Sequence, residues 1–342
     1  MPAAQGETWI FTIFTWIRIG IVIKIVIKIV IKMAIKMAIG AETLMKTLII
    51  EGTANLQAND YSSLEFRQRL LSYVDCHWEE ARPLSISTFD TRAITLDGKD
   101  YVVKHQLLDE ENLSPFWQMM REIFESDFAR QRAAMPKICS MMKENPHIPP
   151  AKLVLTDEER KVLIYEKMEG QAWEPDCFPD NPQICLQLGR FIGWNHSHPF
   201  PACGLPGKTD IEDVKWRLLN YVTGKDIRKL CADPCDETCA DLVAALSDEL
   251  SSKHSPLPCR TSEERYAMIM TDISANQFLF GPERIQACVD LDAYVIGPVE
   301  WELAVLANCV PNWAAFREGY EEYCRLPELD TAANLFVRML SS

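Results

Sequence analysis

From residue 62 onward, apolar and polar positions fall into stretches with recognisable periods. Ser62 or Ser63 opens a helical pattern carried by Leu64, Phe66, Leu70, Leu71 and Val74, and Pro83 ends it. Strand-like runs follow at 84–86 and 93–96. Asp97-Gly98 then leads into Tyr101-Val102-Val103-Lys104, and Asp-Gly between apolar runs signals a hairpin. A helical stretch covers 115–142, closed by Pro146, Pro149 and Pro150. Residues 152–155 and 162–166 read as a second strand pair joined by a charged turn. From Asn181 onward the periods are mainly helical, at 182–197, 210–222, 236–252 and 299–309, with more near the C-terminus. Three short apolar runs, 268–270, 278–280 and 287–289, form an island of strand character within that helical half. The pattern therefore predicts an α+β chain with a sheet-rich N-terminal part and a helical C-terminal part that holds a small hairpin.

Residues 21–39, IVIKIVIKIVIKMAIKMAI, break with this pattern. They form a four-residue repeat. On a helix its lysines drift by about 40° per repeat into a slanted stripe, leaving Ile, Val, Met and Ala faces that suit an interfacial membrane helix. As a strand, one face is wholly Ile or Met, an aggregation hazard if exposed. A signal anchor is the third reading, although the apolar run at 9–17 is short of the roughly 20 residues a span needs. A non-functional extension is the fourth. Weak membrane-surface contact through residues 9–39 is the favoured membrane role of this segment, with the anchor as the alternative. It is set apart from the fold, giving three parts: 1–40, a low-complexity extension; 41–168, the N-terminal part; and 169–342, the helical part.

The charge sharpens this division. The 342 residues carry a net −14, yet residues 1–40 contribute +4, from Arg18, Lys24, Lys28, Lys32 and Lys36 against Glu7. The body therefore carries −18. Such a body repels nucleic acid and favours cationic or metal-bridged ligands. The twelve cysteines contain no CxxC pair, which argues against a zinc ribbon. Cys231, Cys235 and Cys239 would share a helix face, but Asp233-Pro234 interrupts it. Reduced thiols in a cytoplasmic protein are the expectation; disulfides in the secretory pathway are the alternative.

Three sites carry candidate chemistry. Lys104 ends the strand after the hairpin, where it can point into a cleft. Asp272, in MIMTDISANQFLF, follows one apolar strand and precedes another. Asp290 and Asp292, in VDLD, lie two apart, so on an extended segment both can approach one cation. Each motif alone also reads as an edge lysine or a turn carboxylate. Their order is the stronger signal: Asp272 stands 168 positions after Lys104, and Asp290 only 18 after Asp272.

In this order the segment from about residue 84 to 323 resembles the aminoglycoside phosphotransferase and choline kinase superfamily. MTDISANQFLF, VDLD and GPVEWELA are similar to that family's HGD-x4-N motif, its I-D-W-E strand end and its G-D-P-x-x-D-L-A. LIYEKMEG resembles the interlobe linker, LGRFIGWNHSHP the helix preceding the substrate region, and FREGYEEYCRLPEL the closing helix. The resemblance implies a protein-kinase-like two-lobed fold, with a small sheet-rich N-lobe, a larger helical C-lobe and the nucleotide between them. It implies ATP and Mg2+ as cofactors and a small-molecule hydroxyl substrate. Asp272 would accept the acceptor's proton, and Lys104 would hold phosphates. Asp290, with Gln277 or Asn276 and Asp292, would hold metal, and the linker near Glu166 and Met168 would bind adenine through its backbone. Glu302 would take a structural helix-cap role rather than a catalytic one.

The departures are specific. Met270 replaces the motif's His, and Gln277 stands where Asn is usual. SISTFDTR at the phosphate loop has no glycine, so close backbone approach to phosphates is unsupported. The acid partner of Lys104 is open among Glu122, Glu125 and the register of Gln131. The leading expectation is an ATP-dependent O-phosphotransferase acting on a hydroxylated metabolite or antibiotic, cationic ones included. A catalytically impaired pseudokinase or binding module is the alternative, and a divergent secretory-pathway protein kinase is another.

Overall fold

The computed structural model describes residues 63–86, 88–107, 113–173, 177–221 apart from 215, 216 and 219, and 265–329. The expectations at 1–40, at 236–252 and at Cys231, Cys235 and Cys239 lie outside the described residues. The chain divides into two compact units, residues 1–76 and 77–342. Of the first, helix α1 (Leu64–His77) is described. Ser63 Oγ accepts the Phe66 amide at 3.1 Å, and Leu70 and Val74, one turn apart, are buried.

The second unit opens with a five-stranded antiparallel sheet in the order β1-β2-β3-β5-β4. Its strands are β1 (Arg82–Ile86), β2 (Phe89–Leu96), β3 (Lys99–Gln106), β4 (Leu153–Asp157) and β5 (Val162–Glu166). The β2–β3 hairpin is closed where the sequence places it. Leu96 pairs with Lys99, leaving Asp97 and Gly98 as a two-residue turn with φ of 53° and 74°, the left-handed conformation such turns demand. Lys104 sits on β3 opposite Thr91 and Leu163, near the middle of the sheet.

The stretch 115–142 is two helices rather than one, α2 (Pro115–Phe124) and α3 (Phe128–Met142). Ser114 caps α2, with Pro115 in its first turn, and Glu125 ends it in the left-handed conformation. Asp127 starts α3 by accepting the Arg130 amide at 2.8 Å. The helical period runs through this elbow, so periodicity alone hides a break made by capping chemistry. Helix α3 lies against β4.

A linker leaves β5 and forms β6 (Gln171–Ala172), which joins β10 (Phe278–Phe280) and β11 (Ile285–Cys288) in the order β11-β10-β6. Strands β7 (Cys203–Leu205), β8 (Lys208–Ile211), β9 (Tyr266–Met270) and β12 (Tyr294–Pro298) form a further sheet, β8-β7-β12-β9. Of these, the apolar run 268–270 marks β9. Nothing in the sequence pattern marks β7, β8 and β12: they are short, and every residue of β12 is buried, so it shows no polar alternation. The helix expected from residue 210 starts later, because Lys208–Ile211 pairs with β7 first.

Helices α4 (Pro182–His196), α5 (Val299–Cys309) and α6 (Trp313–Glu321) complete the helical part. Helix α4 packs on α6 so closely that a Cβ added at Gly189 would stand 2.0 Å from the Phe316 carbonyl oxygen. Gly189→Ala is therefore expected to force the helices apart and lower stability by about 1–3 kcal/mol. Thermal unfolding checks this; an unchanged melting temperature would show that the contact yields freely.

Candidate active site

Strand β9 delivers Asp272 two residues beyond its end. The loop that follows is folded by its own side chains. In the 3-10 turn Ala275–Gln277, Gln277 Oε1 accepts the Ser274 amide at 3.1 Å, and Gln277 Nε2 donates to the Asp272 carbonyl at 2.9 Å. The Gln277 carbonyl in turn accepts the amides of Val289 at 2.9 Å and Asp290 at 3.4 Å. Gln277 thus ties the Asp272 loop to the Asp290 loop. Both ends of its side-chain amide bond its own loop, and its backbone carbonyl makes the tie to the Asp290 loop, whereas the resemblance places its amide at a metal. Asn276 is exposed, and its Oδ1 accepts the Ser274 hydroxyl at 2.8 Å.

Lys104 meets Asp290 and Asp292 across 186 and 188 residues of sequence. Its Nζ donates to Asp290 Oδ1 at 2.8 Å and is in still closer contact with Asp292 Oδ2. The two carboxylates differ in access: the Asp290 side chain is 44% exposed, that of Asp292 only 7%. The Phe89 ring closes the lysine from another side, its centroid 5.1 Å from Nζ. Phe89 belongs to the glycine-free SISTFDTR segment, and nothing in the sequence singled it out.

Burial opposes the charge of Lys104, but the two carboxylates outweigh it and hold the ammonium above its ordinary value. Burial likewise works against Asp290, yet the charge and hydrogen bond of Lys104 keep it below the usual carboxylate range. Burial lifts Asp292 above that range. Asp272 is pushed up to about 7, first by burial and then by the charge of Asp290. Its Oδ1 is buried and has no hydrogen-bond partner.

The expected acids of the N-lobe helix are elsewhere. Glu125 pairs with Lys208 at 2.9 Å and Arg217 at 3.1 Å, and Glu122 is exposed on α2. Gln131, buried on α3, donates to Ser126 Oγ at 2.8 Å and leans towards the Tyr294 carbonyl at 3.4 Å. Glu166 and Met168 lie at the linker. The Glu166 carboxylate takes Lys99 at 2.8 Å and Lys152 at 2.7 Å, and its amide is donated to the Lys152 carbonyl. The Lys167 amide is likewise donated, to the Asp100 carbonyl at 3.0 Å, so any adenine contact by the linker amides falls to residues after Lys167.

Glu302 does not cap its helix. Fully buried in α5, it accepts the Met270 amide at 2.8 Å on one oxygen and meets His196 Nε2 at 2.7 Å with the other; His196 Nδ1 then reaches the Tyr320 hydroxyl at 3.0 Å. Thr271 bonds the Ala293 carbonyl at 3.1 Å. The strand end that presents Asp272 is thus pinned to three helices and to β12.

The donor set fits a magnesium ion. Asp290 offers a hard, accessible carboxylate, and an orphaned Asp272 oxygen lies in the same electrostatic neighbourhood. Magnesium is commonly held by one or two carboxylates with phosphates and water completing the shell. Among the described residues no group of three or more His, Cys, Asp or Glu side chains could hold a metal by itself.

The α+β fold thus brings a strand lysine and an acidic pair together beside a loop aspartate, in a chain whose family is that of phosphotransferase enzymes. Residues 80–333 match the model of the APH phosphotransferase enzyme family, and the chain belongs to that family. Among solved structures, the macrolide 2'-phosphotransferase MphH of Brachybacterium faecium is similar at 15% identity, covering 79% of this chain and 88% of that one, with a TM-score of 0.44. The choline kinase LicA of Streptococcus pneumoniae is similar at 10% identity, over 79% and 85%, TM-score 0.44. A streptomycin–ATP ternary complex of APH(2")-IIa gives 13%, 84% and 87%, TM-score 0.44. No curated protein matches the chain.

Proposed function

We propose that this protein transfers the γ-phosphoryl group of ATP to a hydroxyl of a small molecule, and that Asp272, Lys104 and Asp290 carry the reaction. The observation that supports it is the meeting of Lys104 with Asp290 and Asp292 from distant parts of the chain, beside a loop aspartate with a buried, unpartnered oxygen. Lys104 would hold the nucleotide phosphates. Asp290, with Asp292 as a further candidate, would hold magnesium, and Asn276 and Gln277 are its candidate amide ligands. The ion, when bound, supplies positive charge that bridges and neutralises the phosphate oxygens. Asp272 orients the acceptor hydroxyl and takes its proton, for which a value near 7 suits neutral pH. The residues around 166–168 would meet adenine with their backbone.

The body's charge of −18 favours a cationic or amino-substituted acceptor. A non-catalytic nucleotide-binding or scaffold role is the second reading. It is favoured by the inward-turned Gln277 amide and by Phe89 packed at Lys104. No described helix is long and apolar enough to cross a membrane.

Calorimetric titration of ATP into the full chain, with and without magnesium, followed by turnover on an acceptor panel, separates the readings. Magnesium-dependent binding that disappears in Asp290→Asn supports the phosphotransferase, and a panel of polyols, amino alcohols, aminoglycosides and macrolides then finds the acceptor. Lys104→Met is expected to lower turnover about 10²-fold, the scale of removing one donor from a transition-state anion site. Magnesium-dependent binding with no turnover on any acceptor would favour the non-catalytic reading.

A further inference from the structure

In protein kinases the strand lysine that holds the phosphates is kept in place by a glutamate on the N-lobe helix. Here the carboxylates that hold Lys104 among the described residues are Asp290 and Asp292, and neither stands on a helix. Gln131 is a buried polar residue of α3, and its amide is turned to Ser126 and the Tyr294 carbonyl, with Oε1 buried and unpartnered. Glu125 is committed to Lys208 and Arg217. A buried ammonium without a carboxylate would be costly, so another part of the fold must hold it.

We infer that Asp292 is the standing counter-ion of Lys104, a positioning residue and not a metal ligand, while Asp290 is the carboxylate that leaves the lysine when nucleotide and metal enter. The inference rests on the reading of Lys104 as the phosphate-binding cation. Three observations carry it. Asp292 contacts Nζ and its side chain is 7% exposed, so it presents little oxygen to a ligand; the Asp290 side chain is 44% exposed and does. The backbone that bears Asp292 is fixed on both sides: Leu291 and Ala293 are buried, the Ala293 carbonyl accepts from Thr271, and the Asp292 amide donates to Asp290 Oδ1 at 3.3 Å. Asp290 and Asp292 are the carboxylates whose charge acts on Lys104, while Gln131 of α3 is turned to Ser126 and the Tyr294 carbonyl. An acid on the segment after Asp290 has thus taken over a task usually borne by the helix. The cleft gains a lysine whose position depends on the loop at 289–293 rather than on the placement of α3.

The test compares Asp292→Asn, Asp290→Asn, Lys104→Met and the double variant Asp292→Asn/Lys104→Met in the full chain. Thermal unfolding is run at about pH 8.5, where both carboxylates are charged. Asp292→Asn is expected to be more destabilising with Lys104 present than in the Lys104→Met background, by about 3 °C or more. Equal shifts in the two backgrounds would mean that Asp292 acts on the fold independently of Lys104, and would overturn the inference. ATP binding is then measured by calorimetry in EDTA and across a magnesium series. Asp292→Asn is expected to weaken binding in EDTA about tenfold and to leave the magnesium midpoint within about threefold. Asp290→Asn is expected to do the reverse. A tenfold shift of the magnesium midpoint in Asp292→Asn, with binding in EDTA intact, would make Asp292 a metal ligand and end the proposal. If the unsubstituted chain bound no ATP under any condition, the phosphotransferase reading would fail by itself, and the thermal cycle would still decide the counter-ion.

Discussion

Asp272→Asn is expected to remove about 10²–10⁴-fold of the turnover and, above neutral pH, to make the protein more stable. The two effects share one cause. Burial and the charge of Asp290 push the Asp272 carboxyl up to about 7, far above an unfolded aspartate. Raising a carboxyl in the folded state favours folding only while the group is protonated. Its cost is therefore absent below about pH 4, grows as the pH rises towards 7 and is complete above it. An asparagine carries no such cost, so the stability gained by the substitution should rise over that window to roughly 2–4 kcal/mol. Melting temperatures of the two proteins between about pH 4 and pH 8 check this. A difference that stays constant across the range would show that Asp272 is not held against its charge. For the active protein, kcat/KM should climb with pH to a plateau, with a midpoint near 7, because the base must be ionised in the free enzyme. A flat profile would assign proton acceptance to another group.

Much of this arrangement is written in short-range signals. Asp97-Gly98 fixes the β2–β3 hairpin and so the place of Lys104 on β3. The apolar runs around Asp272 and Asp290 mark β9, β10 and β11 because each is bounded by polar turns. The pairing of Lys104 with the VDLD acids follows from their order in the chain only through a resemblance, since no local rule joins residues 186 apart. Other features could not be read at all. Strand β12 is buried along its whole length and lacks alternation, and the break between α2 and α3 depends on one left-handed residue and one cap. Gln277 looks like a longer substitute for a metal-binding amide, yet its extra carbon lets it bond its own loop at Ser274 and Asp272. Phe89 and the turned-away Glu125 are decided by packing partners far away in sequence, which composition and period do not encode.

Glu302 bears on the same loop from beneath, and its loss is expected to be the most damaging single change to the fold. Its two oxygens serve the Met270 amide and His196, and neither Glu302 nor His196 is exposed to solvent. Truncation to alanine would leave a buried backbone donor and a buried imidazole without their acceptor, together with a void in α5. Each buried polar group left without its acceptor costs about 1–3 kcal/mol, so with the void the total stands beyond the usual range for one substitution. Glu302→Gln keeps the shape and an acceptor oxygen for Met270 while giving up the charge, so it should cost less than half as much. The activity readout separates this role from bulk stability. Met270 lies two residues before Asp272, so in Glu302→Gln, assayed well below its melting temperature, turnover should fall while ATP binding at Lys104 and Asp290 holds, because those groups stand on other segments. A Glu302→Gln protein that lost nucleotide binding and turnover in equal measure would mean that the whole cleft, and not only the Asp272 loop, hangs on this buried carboxylate.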